Sequence, residues 1–141
     1  MPPLSPVQLP AAPWLLLAVA MLLIAAVLVI DRWIGRRRGR RLRRLAEHNG
    51  FRFSRIDRFD LAARVAPHLP AGAADVVVRD LMYRSAPGGQ DYAFTAVFAV
   101  DARARVVMQA QERGDGVLRN VSTADAALPL GEQYRRLLGP A

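Results

Sequence analysis

The run AAPWLLLAVAMLLIAAVLVIDRWIGRRRGRRLRR, Ala11 to Arg44, decides how this chain is read. From Ala11 to Ile30 its apolar character is interrupted only at Pro13, and residues 1–30 carry no charged side chain. Twenty helical residues rise about 1.5 Å each and reach about 30 Å, the thickness of a bilayer's hydrocarbon core. Trp14 and Trp33 bracket the stretch nineteen residues apart. A straight helix therefore places each indole near one headgroup layer, where amphipathic rings prefer to sit. Pro10 and Pro13 fall at the helix entry, where proline costs least. The pattern predicts a transmembrane helix over 11–33, preceded by a short extracytoplasmic tail over 1–10.

Two rival readings fit less well. A cleaved secretory signal has a basic n-region and a small-residue cleavage site after a shorter apolar core. Here the basic residues follow the apolar run, and Ala18 and Ala20 lie inside it. A buried helix of a soluble domain is also disfavoured, because so small a domain could hardly cover every side of the rod.

Outward from the span, charge gives orientation. Residues 31–44 hold eight arginines and one acid, Asp31, a net +7 out of the chain's +8. Residues 45–141 hold twelve arginines and eleven acids, net +1. The excess is thus a juxtamembrane run over 34–44, not a globally basic domain. Short flanks rich in arginine stay in the cytoplasm. The expected topology is a single-pass protein of the cytoplasmic (inner) membrane, a signal-anchor with its N-terminus out and residues 45–141 forming a cytoplasmic domain.

Cysteine is absent, which removes disulfides, thiolate metal sites and thiol catalysis. All the basic residues are arginine, a feature of base composition and not of chemistry.

The domain reads as α+β. Residues 40–49 look helical, with Leu42, Leu45 and Ala46 on one side and Gly50 as the residue that ends the helix. This helix is either continuous with the span or separated from it by a bend at Gly35 or Gly39. Phe51-Arg52-Phe53 alternates like a short strand. A second short helix is expected within Ser54–Pro67, with Asp57 as N-cap, Asp60 at N3 and Leu61, Ala62 and Val65 as its apolar stripe. Residues 68–74 read as a loop. The period then changes to two. Val76, Val78, Asp80, Met82 and Arg84 alternate with Val77, Arg79, Leu81 and Tyr83. Ala86-Pro87-Gly88-Gly89 is a turn, and Tyr92, Phe94, Ala96, Phe98 and Val100 share one face of a strand over 92–100. Further strands follow over 105–111 and 117–122. Leu130–Leu138 closes the chain as a helix with Tyr134, Leu137 and Leu138 inward. The expectation is two short helices, a four-stranded antiparallel meander and a C-terminal helix, with helices on one face of the sheet.

Sites that carry chemistry are sparse. His48 and His68 lie twenty residues apart with no acidic partners at metal-ligand spacing. Asp57 and Asp60 fit a helix cap better than a catalytic carboxylate pair. Ser5, Ser54, Ser85 and Ser122 occupy no nucleophile-elbow context. No lysine or glycine fingerprint offers a phosphate-binding loop. The stripe Tyr92, Phe94, Phe98 reads as core, with a partner surface as its competitor. No catalytic, cofactor or metal residue is therefore assigned. The membrane-interface residues are Trp14, Trp33, Arg36, Arg37, Arg38, Arg40, Arg41, Arg43 and Arg44. The arginines suit the positive-inside role first and contact with anionic lipid headgroups second. Nucleic acid is disfavoured because no aromatics are interleaved with them.

Arg43-Arg44-Leu45-Ala46-Glu47-His48-Asn49-Gly50-Phe51-Arg52-Phe53, followed by Asp57-Arg58-Phe59-Asp60-Leu61, resembles a group of uncharacterised bacterial proteins. In these a membrane segment precedes a small domain that opens with a similar pattern. The resemblance covers roughly residues 40–138 and includes Val76–Tyr83 and the aromatic strand. It implies a domain and carries no activity. The expected function is a membrane-tethered, noncatalytic interaction or scaffold domain with the bilayer and an unidentified protein as partners. The alternative is a module that senses anionic lipid, or regulates the envelope, through the arginine run.

Overall fold

Helix formation dominates the first third of the chain, where leucine, alanine and arginine supply strong propensity. The computed structural model describes residues 13–139; the expected tail over 1–10 and the first residues of the span lie outside them. Helix α1 runs Pro13–His48 and passes through Gly35 and Gly39 without a break. The chain divides into two compact units, residues up to Arg37 and Arg38–Ala141.

In the first unit the apolar side chains from Trp14 to Ile34 are exposed, including Leu16 at 76% and Trp14 at 75%. Residues Pro13–His48 contain a single helix long and apolar enough to cross a membrane. Below it the Arg37 guanidinium lies 3.4 Å from the centroid of the Trp33 ring, a cation–π contact.

The second unit begins with the end of α1. Gly50, at φ 72°, adopts the left-handed conformation that lets the chain leave the helix. The Phe51 amide then donates to the Ala46 carbonyl at 2.8 Å and the Gly50 amide to Glu47 at 3.1 Å, a Schellman closure. Strand β1 (Arg52–Ile56) leads to α2 (Leu61–Val65), a single 3-10 turn (Ala66–His68) and four further strands. These are β2 (Ala74–Ala86), β3 (Gly89–Val100), β4 (Ala102–Glu112) and β5 (Leu118–Thr123), and helix α3 (Leu130–Leu138) ends the chain. The sheet order is β1-β2-β3-β4-β5, antiparallel throughout.

The α+β class and the meander agree with expectation, and four details correct it. First, the sheet has five strands: the strand opening at Phe51-Arg52-Phe53 continues to Ile56 and pairs with β2. Second, the helix expected within Ser54–Pro67 shrinks to Leu61–Val65, because Ser54 is buried in β1 and bonds the Ile56 carbonyl through its hydroxyl. Asp57 still caps that helix, but from upstream: its carboxylate accepts from the Phe59 amide at 3.0 Å and the Ala62 amide at 2.9 Å. Asp60, expected at N3, holds the cap position at φ 53° with no side-chain capping bond. Third, before the C-terminal helix the domain has one separate short helix and not two, since of the two readings of the helix ending at Gly50 the continuous one holds and it is the end of α1. Fourth, the helices cover both faces of the sheet.

The two faces carry separate cores. On one, α2 packs Leu61 and Val65 against Tyr92, Phe94, Ala96, Met108, Ala110 and Leu118. On the other, Leu42 and Ala46 of α1 and Tyr134 of α3 pack against Met82, Ala93 and Val107. Strict alternation would put Val78, Asp80 and Met82 on one face. The pairing of β2 with β3 slips between Arg79 and Met82, and Asp80 turns to φ 51°. Such a bulge adds one unpaired residue and re-aims those after it. Leu81 therefore joins Val78 in the first core while Met82 enters the second.

Candidate functional site

The arginine run does not act as a block. Arg38 faces inward, and its guanidinium pairs with the Asp80 carboxylate at the bulge. The same Asp80 accepts, through its backbone carbonyl, a 2.9 Å hydrogen bond from the Tyr134 hydroxyl. The phenol has only one proton to give, so the Thr95 hydroxyl, 2.9 Å away, donates to it. Burial pushes the Tyr134 phenol well above its ordinary pKa. Arg38 thereby ties the helix end to the sheet. Gly39 is buried under the Arg55 guanidinium, which lies 2.8 Å from where a Cβ would stand.

Arg41 and Arg44 do something different. With Leu45 and His48 they recur at helical spacing along one stripe of α1. Opposite them, α3 presents Gly131, Glu132, Arg135 and Arg136, again one stripe of a helix. The two stripes line an open groove of about 1400 Å³ with Leu42 and Leu45 among its walls. Four arginines and one glutamate line it, which leaves three net positive charges. Glu132 meets Arg135 at 3.6 Å and Arg136 at 4.0 Å, long contacts within one helix. Pairs of this kind contribute only about 0.3–0.5 kcal/mol. Among the described residues Arg41 and Arg44 make no ion pair.

The remaining residues singled out from sequence are placed as follows. Arg40 and Arg43 are exposed on α1 and do not line the groove. Trp14, Trp33, Arg36 and Arg37 belong to the first unit and are exposed. His48 lies at the groove and His68 at the end of the 3-10 turn. Arg135 and Arg136 are additional to the residues singled out from sequence. The signal that could have found them is the helical register: with Tyr134 inward, both project to one side of α3.

Two other charged clusters are committed to structure. Asp91 is buried between Arg84 at 3.1 Å and Arg113 at 3.2 Å. Glu112 accepts from the Tyr92 hydroxyl at 2.8 Å and from Arg64 at 3.0 Å, bonds that hold its carboxyl below the usual range. Burial, reinforced by the bond to Glu112, pushes the Tyr92 phenol up to about 12. Arg64 Nε also donates to the Gly116 carbonyl at 2.9 Å, so this network binds α2 to the β4–β5 turn. The aromatic stripe is buried, with Tyr92 at 1%, Phe94 at 0% and Phe98 at 6% exposure. Among the described residues no group of three or more histidine or acidic side chains converges as a metal site would require.

Comparison with known protein families, curated proteins and solved structures finds no match to this chain.

Proposed function

We propose that this protein is a single-pass membrane-anchored, noncatalytic binding domain, with its N-terminus outside and its C-terminal domain in the cytoplasm. The observation that carries the reading is the exposed, uncharged face of α1 from Trp14 to Ile30, followed at once by arginines and a folded sheet domain. Water does not tolerate that much contiguous apolar surface, whereas a bilayer accepts it. The arginines that follow supply the asymmetry that retains a flank in the cytoplasm.

The noncatalytic part rests on how the titratable groups are used. Perturbed groups gathered in a cleft point to chemistry. In this domain Tyr92, Glu112 and Tyr134 are perturbed, and each is engaged in hydrogen bonds that hold strands and helices together. The groove carries fixed positive charge, and among the described residues its His48 and Glu132 share no hydrogen bond or ion pair. Such a surface suits the binding of anions.

Membrane fractionation tests the anchor. The full chain should pellet with membranes and resist alkaline carbonate. A chain lacking residues 13–33 should move to the soluble fraction. Extraction of the full chain by carbonate would remove the anchored reading.

A further inference from the structure

Several arginines of the second unit have no acidic partner among the described residues, and what sets four of them apart is that they line one groove. Arg38, Arg64, Arg84 and Arg113 are bonded to Asp80, Glu112 or Asp91 and hold the fold. Arg41 and Arg44, on one wall of the groove, have no acidic partner among the described residues, and Arg135 and Arg136 share one distant carboxylate on the other. Like charges gathered across a gap repel, and they persist where an anion neutralises them. We infer that this groove holds the phosphate headgroup of an anionic membrane lipid, with Arg41 and Arg44 on one side and Arg135 and Arg136 on the other. The inference rests on the membrane-anchored reading above and adds a ligand class and the residues that bind it.

Three features favour that occupant. Guanidinium forks match phosphate oxygens in paired hydrogen bonds, which an ammonium cannot reproduce. Half-buried Leu45 and exposed Pro129 give the cationic groove an apolar portion, suited to the glycerol and upper acyl carbons of a lipid rather than to a fully hydrated ion. Chain length is the third. Arg41 and Arg44 follow Trp33 by eight and eleven residues. Even a fully extended chain spans only about 28 and about 39 Å over those distances. The site is thus tethered near the headgroup layer, where lipid is always at high local concentration. A nucleic acid fits poorly, since no phenylalanine, tyrosine or tryptophan lines the groove for successive bases to stack on.

The test uses the full chain in detergent micelles. Binding of phosphatidylglycerol, phosphatidylcholine, inorganic phosphate and a soluble polyglutamate peptide is measured by calorimetry and by the shift in thermal midpoint. Phosphatidylglycerol should bind and raise the midpoint, as any ligand of the native state does. The other three should bind more weakly. The double variant Arg135→Gln/Arg136→Gln should weaken phosphatidylglycerol binding about tenfold, or about 1.4 kcal/mol. Arg41→Gln/Arg44→Gln, from the opposite wall, should give a similar loss. Arg40→Gln/Arg43→Gln removes the same charge from exposed positions outside the groove and should change affinity less than about twofold. Circular dichroism of each variant checks that the fold is retained; if one wall's variant unfolds, the other supplies the comparison. Equal losses in all three double variants would show diffuse charge attraction and overturn the site. Equal or tighter binding of phosphatidylcholine, phosphate or the acidic peptide would overturn the lipid headgroup as occupant. None of these readouts depends on which side of a membrane the domain faces, so they stand apart from the topology.

Discussion

Tyr134 shows how much one side chain can fix. It is fully buried, and its hydroxyl joins Thr95 on β3 to the Asp80 carbonyl at the bulge. Tyr134→Phe keeps the ring and strands two polar groups, each costing about 1–3 kcal/mol when left unsatisfied. The urea midpoint should fall accordingly, against a total stability of about 5–15 kcal/mol for a domain of this size. Phe94, with no exposure, should cost about 3–5 kcal/mol when truncated to alanine. An unchanged midpoint for Phe94→Ala would mean that the stripe is not core. Val117→Ala, at a position 53% exposed, should stay within about 0.5 kcal/mol of the parent. The tyrosines also set a pH dependence. Tyr92 is pushed up to about 12 and Tyr134 is raised as well, chiefly by burial. A phenol raised in the fold stabilises fully below its ordinary value near 10 and loses that contribution as pH rises through the folded value. Glu112 acts in the opposite sense: its contribution is present above the usual carboxylate value and is lost as pH falls below it. Urea midpoints measured against pH should therefore drop between about pH 10 and 12, and Tyr92→Phe should flatten that alkaline limb.

Elements built from local pattern were legible, and those set by distant partners were not. The helix end at Gly50, the β3–β4 pair and α3 each follow from a period or a turn residue within a short window. Gly50→Ala, forced to φ 72°, should cost about 1–2 kcal/mol, and a loss of helical signal on heating would report it. Asp57 was readable as a cap, and Asp57→Ala should cost about 0.5–2 kcal/mol. Its place upstream of α2 depends on β1 running on to Ile56, which in turn depends on pairing with β2. The bulge is the clearest case. The only local hint is the residue type, since aspartate is poor in strands and tolerates the left-handed region, as Asp60, Asp75 and Asp101 also do here. Its left-handed backbone is supported by Arg38, forty-two residues earlier, and by Tyr134, fifty-four residues later. The groove escaped for the same reason, since its two walls are far apart in the chain and meet only after the second core has formed.

At the scale of the whole molecule, the sequence divides its charge and its apolar surface with little overlap. The span holds exposed hydrocarbon, the next segment holds the positive excess, and the domain is nearly neutral with a core on each face of its sheet. A chain starting at Arg38 retains the Asp80 pair and both cores. It should be soluble, unfold cooperatively in urea and give a mixed helix and strand spectrum by circular dichroism. In the proposed topology an exposed apolar helix followed by arginines fixes this domain to the cytoplasmic face of a membrane. Paired reporters fused after Ala141 test it most directly, one active only in the cytoplasm and one only outside it. The cytoplasmic reporter alone should be active, with the bias weakened when the arginines of residues 36–44 are replaced by acids. Activity from the external reporter alone would contradict it.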